Sequence, residues 1–384
     1  MNGVIRHCFN CNQGEVMSEG TMDKAKMFSR ETLEQVRAQE EEWQRAIMGQ
    51  EAADLEATTY SGIEVKPVYS PSDVAEMSAA DIPLPGQYPY TRGGNPLGYR
   101  AEPWAMFQFF GFGSGEDTRE RWEYYRSLGA TGRVGRDEEE ELPPFRVATD
   151  LPTQRGYDAD EPEARGRVGG CGLSISTMED MKNLLDGVPL DKVCVVPVSL
   201  NSSMVADALY VAYAEVRGYS PAQLFLRANN VIYHCCQHDV ISFPPKQSLK
   251  LMTELIYYCV KNIPRAQHTA LVGYNVGETG GTGIQQVALM LALAIELVEE
   301  CIKVGLDPDD VVPGFYNHDW GGIDLFEEVA KIRAKRRLWA KIFKERFGCK
   351  RAESLRMKVL PQNAGSLSIA QEPLNNIIRS TIMT

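Results

Sequence analysis

The sequence predicts an α/β protein built on parallel strands, and three observations carry that reading. Short β-branched runs alternate with longer helical patterns at roughly 40-residue spacing, which implies parallel strands joined by right-handed crossovers. The apolar run at 269–276 passes through the glycine-rich string GETGGTG into a long apolar helical pattern, the order of a strand, turn and helix in one βα unit. Proline and glycine punctuate the stretch 81–96 (DIPLPGQYPYTRGGNP), marking an extended entry into the globular part. The pattern fits an eight-stranded βα barrel or a doubly wound sheet.

Taken in order, residues 29–48 read as a helix with Ser29 as N-cap and mixed charge, with Leu33, Val36, Trp43 and Ile47 near one face. This helix is either a solvated arm or a partner-binding element within an N-terminal arm spanning 1–60. Strands are expected at 145–151, 193–200, 224–233, 269–276, 311–316 and 355–360. Helices are expected at 177–185, 204–217, 246–261, 283–304 and 325–347. With six strands visible and the sequence stopping in the helix after the sixth, an eight-stranded barrel would keep open edges. A partner polypeptide or further sequence is then expected to complete it.

Composition narrows the class. With 384 residues, 43% hydrophobic and 24% charged, the chain is an ordinary globular protein with room for one large α/β domain or two smaller ones. A net charge of −12 argues against nucleic acid or an anionic membrane as main partner, since either would repel it. No apolar run reaches the length of a membrane span, and the polar amino terminus lacks a signal-peptide core, so a cytoplasmic location is expected. Nine scattered cysteines suit reduced thiols. Cys8 and Cys11 beside His7 lack the second ligand pair that tetrahedral zinc needs, and Cys171, Cys194, Cys259 and Cys301 are expected to be buried. The carboxylate run Asp137 to Glu141 reads as a solvated loop or a site for a cation or basic partner.

Motifs spread through most of the chain carry a family resemblance. They are SGIEVKPVYSPSDV from Ser61, PGQYPYTRG from Pro85, QFFGFGSGEDTRERWEYY from Gln108, TDLPTQRGYDAD from Thr149, DGVPLDKV from Asp186, ISFPPKQSLKL from Ile241, EEVAKIRAKRRLWAKIFKERFG from Glu327 and AQEPLNNIIR from Ala370. With the strand end at Thr269, they resemble, in unbroken order, the large subunit of the methylmalonyl-CoA mutase family. The resemblance implies a (β/α)8 TIM-barrel type fold over 61–384, with about six of eight strands present. It implies an isomerase that rearranges the carbon skeleton of an acyl-CoA by adenosylcobalamin radical chemistry. The family's cobalamin signature, Asp-x-His-x-x-Gly, occurs around none of His7, His234, His238, His268 and His318. A separate cobalamin-binding small subunit or domain is therefore the implied partner.

The resemblance also assigns site residues, most of them altered. Within NPLGYRAEPWAMFQFF, Tyr99 falls in the CoA and substrate loop, Glu102 stands where an arginine would meet CoA phosphate, and Phe107 replaces a second arginine. Reversing charge at a phosphate contact turns attraction into repulsion. Phe109 replaces a tyrosine and Gln154 a histidine, both as in relatives acting on isobutyryl-CoA. His238 falls at the arginine that grips a free carboxylate, and Ala228 replaces a glutamine near the thioester. Asn275 replaces the histidine general acid; an amide donates a hydrogen bond but transfers no proton near neutral pH. Glu278 and Gln362 match residues near the deoxyadenosyl group, and Gly111 keeps a close-approach glycine. On local grounds alone, Glu278 could instead cap the following helix and Gln362 could satisfy backbone groups.

The function expected is therefore a mutase barrel subunit with altered substrate specificity. Two alternatives stand beside it: a noncatalytic or truncated mutase-like barrel acting as a binding or structural partner, and a metal-dependent barrel hydrolase using His238 with Asp239 and His318 with Asp319.

Overall fold

A computed structural model describes residues 26–48, 57–100, 109–129, 143–229 and 243–383. They fall into two units, one formed up to Gly98 together with Phe326–Met357, the other by Tyr99–Leu325 together with residues from Lys358 onward.

Among the described residues the larger unit holds six parallel strands. β1 (Phe145–Ala148), β2 (Cys194–Val198) and β3 (Phe225–Leu226) form one sheet in that order; β4 (Thr269–Val272), β5 (Phe315–Gly321) and β6 (Val359–Asn363) form the other. A parallel bridge between Arg227 and Gln267, whose N–H donates to the Leu226 carbonyl at 2.8 Å, runs from the end of β3 to the segment before β4. A second bridge, Phe110 to Val147, extends the β1 edge. Strand order thus follows sequence order. A doubly wound sheet would reverse at a switch point, and none occurs among these strands.

Side chains alternate between two faces, as strands require. Phe145 and Val147 of β1, Val195 of β2 and Leu226 of β3 join Trp122, Met181 and Tyr210 in the main apolar core on the helix side. The opposite, inner face holds two small apolar clusters, Cys194 with Val196 and Phe225, and Ala270 with Val272 and Tyr316. By the same alternation Arg146, Arg227, His318 and Gln362 fall on that inner face.

The helices follow their sequence signals. α2 (Gly115–Ser127), α4 (Met178–Leu185) and α8 (Gly283–Lys303) each open on a reciprocal capping box, set by Ser114 with Asp117, Thr177 with Asp180 and Thr282 with Gln285. α5 (Ser203–Val216) packs on β2, and α6 (Pro245–Asn262) packs on α8. Buried Met290, Leu293, Ala294, Leu297, Val298 and Cys301 recur at helical spacing and give α8 one core face. Leu297 is fully buried, so Leu297→Ala should cost about 2–5 kcal/mol, read as a lower urea midpoint at unchanged m-value.

Several expectations are corrected. The strand foreseen at 311–316 is β5 at Phe315–Gly321, because Asp307 caps the short helix α9 (Pro308–Val311), whose Pro308 suits a first turn, and this absorbs the β-branched residues. The strand at 269–276 stops at Val272, and Asn275 lies in the short helix α7 (Tyr274–Glu278). The strand at 355–360 begins at Val359, after the short helix α11 (Ala352–Leu355). Cys194, Cys259 and Cys301 are buried as expected, but Cys171 is exposed, being followed by Gly172 at φ +105° in the turn after a run of glycines. The expected His7, Cys8 and Cys11 cluster and the acidic run 137–141 lie outside the described residues.

The smaller unit is built on α1 (Arg30–Ile47) and α10 (Leu325–Lys341). Ser29 caps α1 by accepting from the Thr32 N–H; Leu33 is buried, while Trp43 remains 40% exposed. Trp339 of α10 is buried against Phe343, with ring centroids 4.4 Å apart, and its indole donates to the Ser354 carbonyl at 3.0 Å. Buried Lys331 pairs with Glu328 at 2.6 Å, and Arg337 meets Asp81 at 3.3 Å.

Candidate active site

Two groups of residues gather at the carboxyl ends of the strands. The first surrounds the end of β1. Gly111 has φ +138°, and a Cβ there would sit 2.1 Å from the Ala148 carbonyl oxygen; a Cβ on Gly172 would sit 2.3 Å from the Thr149 carbonyl oxygen. Only glycine lets both segments approach the strand so closely. The close approach at Gly111 is therefore to β1 itself.

After β1, buried Asp150 caps α3 (Leu151–Arg155). Its Oδ1 accepts from the Thr153 N–H at 3.0 Å and its Oδ2 from the Gly169 N–H at 2.8 Å. This places Gln154, whose Nε2 donates to the Thr149 carbonyl at 2.6 Å. Phe109, Phe110, Gly111, Thr149, Gln154 and Cys171 line a cleft of about 330 Å³. Phe109 is 41% exposed and carries the Arg146 guanidinium 3.6 Å over its ring.

The second group spans the ends of β4, β5 and β6. Tyr274 stacks on His318 with centroids 5.4 Å apart, and His318 Nε2 hydrogen-bonds Gln362 Oε1. A carbonyl oxygen only accepts, so Nε2 carries the hydrogen. Burial above all pushes the His318 imidazolium down to about 4, Arg146 adding to the effect and Gln362 opposing it, so the ring is neutral at pH 7. Burial first, and the Glu278 carboxylate second, raise the Tyr274 phenol.

Glu278 anchors the loop after β6. Its Oε1 accepts from the Trp320 indole and the Gly365 N–H, both at 2.9 Å, and its Oε2 from the Ser366 N–H at 2.9 Å. The helix that follows is capped by Thr282 instead, so Glu278 is not its cap. Charge-assisted bonds of this kind are about twice as strong as neutral ones. Glu278→Ala should cost about 1–3 kcal/mol and speed hydrogen exchange at the Gly365 and Ser366 amides, with amides of α8 as the unaffected reference.

The other sequence-derived residues are placed less centrally or not at all. The Asn275 carbonyl accepts from the Thr279 N–H at 3.1 Å and from its hydroxyl at 3.0 Å. Ala228 is fully buried in the helix-side core, its carbonyl facing the Tyr316 hydroxyl at 3.4 Å. Tyr99 belongs to the 3₁₀ turn Gly98–Arg100, with its side chain outside the described residues. Glu102, Phe107 and His238 also lie outside them.

Among the described residues no group of three or more His, Cys, Asp or Glu side chains could hold a metal ion. His318 and Asp319 are successive residues of one strand and face opposite sides of the sheet. No helix of the described residues is long and apolar enough to cross a membrane.

Sequence reasoning missed Tyr274, Trp320, Arg146 and Arg227. A signal was present in FYNHDWG, where Tyr316, His318 and Trp320 alternate onto one face; the string reads as polar and hides the period-2 pattern.

The family model described as methylmalonyl-CoA mutase matches residues 58–384. The methylmalonyl-CoA mutase of Escherichia coli (strain K12) is 35% identical over 351 residues, which cover 89% of this chain and 47% of that protein. The 2-hydroxyisobutanoyl-CoA mutase large subunit of Aquincola tertiaricarbonis is 36% identical over 328 residues, covering 84% and 56%. The mitochondrial methylmalonyl-CoA mutase of Homo sapiens is 31% identical over 365 residues, covering 93% and 46%. The chain thus spans about half the length of these relatives.

Proposed function

Because the chain belongs to the methylmalonyl-CoA mutase family, we propose that it is the barrel part of an adenosylcobalamin-dependent carbon-skeleton mutase, an isomerase with an altered acyl substrate. The observation that carries this reading is the polar group of Tyr274, Glu278, His318 and Gln362 at the carboxyl ends of parallel strands in sequential order, where barrel enzymes build their sites. The partial (β/α)8 barrel then lies within 61–384, its strands carried by the larger unit, and 1–60 is the arm that precedes it.

Fit to the cofactor rests on donor chemistry. Glu278 presents an acceptor-only carboxylate, bonded to Trp320, Gly365, Ser366 and the Tyr274 phenol, the chemistry that meets a ribose hydroxyl. Gln362 has its oxygen engaged by His318 and Gly111 is packed on β1, whereas a carboxylate has about four acceptor sites, so Glu278 is the contact we favour of the three. When bound, adenosylcobalamin supplies the hydrogen-abstracting radical, and a separate small subunit or domain holds its cobalamin part.

This chain's own residues orient and enclose the acyl group. Phe109 and Gln154 shape the cleft beside β1. Asn275 donates a hydrogen bond to the thioester carbonyl without transferring a proton, while Tyr99 and His238 answer to the family's substrate positions. Glu102 and Phe107 remove the cationic contacts expected for CoA phosphates, so the thioester is held by a different mode than in the family's methylmalonyl enzymes.

A further βα unit, from a partner polypeptide or from further sequence, completes the barrel beside β6. That strand is the outermost of its sheet among the described residues. The helix after it, α12 (Asn375–Met383), exposes Ile377, Ile378 and Ile382 at 62–66%, and with Ile323 it lines an apolar groove of about 300 Å³. A neighbouring βα unit would cover both.

The reading is tested by incubating the chain with its cobalamin-binding partner, adenosylcobalamin and a panel of branched acyl-CoA thioesters, with isomers resolved by chromatography. Rearrangement of a thioester other than methylmalonyl-CoA supports it; no rearranged product from any thioester, with the coenzyme bound, favours the noncatalytic relative.

A further inference from the structure

His318 stands at one end of a hydrogen-bond chain whose other end is a carboxylate. Glu278 only accepts, so the Tyr274 phenol donates to it. The phenol oxygen in turn accepts from the Gln362 amide, which turns Gln362 Nε2 toward Tyr274 and Oε1 toward His318. Oε1 also only accepts, so His318 Nε2 carries the hydrogen and Nδ1 keeps an open lone pair. The direction of every bond in the chain thus follows from the carboxylate at its end. Bonds aligned head to tail in this way polarise one another.

The surroundings of the ring are apolar. In register, His318 lies between Val272 of β4 and Leu360 of β6, and both belong to the inner-face cluster with Ala270, Tyr316 and Tyr274. Tyr274 also covers one face of the imidazole, with centroids 5.4 Å apart and planes 13° from parallel. The residue is half-buried, and among the described residues no donor reaches Nδ1. An acceptor lowered into such surroundings costs free energy unless a donor meets it. Burial first of all keeps the imidazole neutral at pH 7, so the lone pair stays available and the ring accepts rather than transfers a proton.

The position suits the ligand that the mutase reading supplies. His318 lies on the inner face near the carboxyl end of its strand, and Tyr274, stacked on it, is the chain neighbour of Asn275, the residue assigned to the thioester carbonyl. We propose that His318 is a specificity-determining residue whose Nδ1 accepts a hydrogen bond from a hydroxyl of the ligand, so that the site selects a hydroxylated acyl group. The acyl-CoA class rests on the mutase reading; the acceptor itself rests on the hydrogen-bond chain alone. A ribose hydroxyl of the adenosyl group carries the same donor chemistry, and the test separates the two sources.

The chain, labelled with isotopic nitrogen in its histidines and mixed with its cobalamin-binding partner, is titrated with isobutanoyl-CoA, its 2-hydroxy and 3-hydroxy derivatives and, separately, adenosine. Calorimetry reads affinity, and NMR reads the imidazole nitrogens. At least one hydroxylated thioester should bind about tenfold or more tightly than isobutanoyl-CoA. It should also move the Nδ1 resonance of one imidazole protonated at Nε2, which the parent thioester leaves in place. His318→Phe should remove both the preference and that resonance, whereas His318→Asn, whose Oδ1 can still accept, should keep part of the preference. Absence of any Nδ1 response to the hydroxylated thioesters overturns the proposal, as does a preference that survives in His318→Phe. A response to adenosine alone assigns the acceptor to ribose and overturns selection of the acyl group. If the variants do not fold, the NMR titration of the unsubstituted chain decides. An Nδ1 response without rearrangement of any thioester counts against the mutase reading alone, and rearrangement without an Nδ1 response counts against this inference alone.

Discussion

Gly111→Ala should destabilise the larger unit by about 3–5 kcal/mol, at the upper end of what single substitutions do. A Cβ at this position would overlap the Ala148 carbonyl oxygen at 2.1 Å and approach the Ala148 nitrogen at 3.2 Å, and the backbone φ of +138° is one that alanine adopts only under strain. Neither neighbour can yield, because Ala148 is held in register with Val198 and its N–H donates to the Phe110 carbonyl at 2.7 Å. Gly129 supplies the internal comparison, since its φ is +82° but a Cβ added there would meet nothing within 4 Å. Gly129→Ala should cost only about 1 kcal/mol, from strain alone. Urea unfolding of the two variants separates overlap from strain, and a cost for Gly111→Ala no greater than for Gly129→Ala would show that the segment can move away from β1.

Acidification should destabilise the protein through two histidines held neutral by the fold, His268 buried and His318 half-buried. His268 is 2% exposed, with Nδ1 3.1 Å from the Thr269 hydroxyl and Nε2 3.1 Å from the Val311 carbonyl. Burial chiefly pushes it down to about 3, while His318 is pushed down to about 4. An unfolded histidine takes up its proton near 6.5, so between that pH and about 3 to 4 the unfolded chain binds more protons than the folded one. Stability therefore falls as pH drops through that window and levels off below it.

Buried Asp207 acts with the opposite sign. Burial raises its carboxyl well above the usual range, so acid relieves a cost that is present at neutral pH. A variant comparison removes that shared contribution. Between pH 7 and pH 4, the stability of His268→Gln relative to the native chain should shift by about 3 kcal/mol in favour of the variant. Parallel pH profiles for the two proteins would contradict a neutral buried His268.

The parts of the fold that were readable from sequence are those governed by local chemistry. Ser29 begins α1 because its side chain satisfies a first-turn N–H, and the apolar spacing of α8 marks its buried face, whereas α2, opened by the Ser114 capping box, was not foreseen. Strand limits were less readable, since Val311 and Val312 favour strands by propensity yet follow the Asp307 cap into helical turns. β5 was misplaced because polar residues buried within a strand, such as Asn317 and Asp319, look like a loop when read singly.

The site was legible only where single residues answer to a family position. Glu278 and Gln362 were singled out that way, but the bonds they make, to Trp320, Gly365 and His318, join segments far apart in sequence. Arg146 and Arg227 gave no local signal at all. Each reads as an ordinary charge within an apolar run, and only the parallel pairing of β1, β2 and β3 places them on one face.

The most direct measurement of the central claim is retention of adenosylcobalamin by the chain mixed with its cobalamin-binding partner, followed by corrinoid absorbance through gel filtration. The account predicts that coenzyme, partner and chain elute together, and that Glu278→Ala lowers the coenzyme retained without separating the two proteins. Elution of the chain apart from both partner and coenzyme would contradict it.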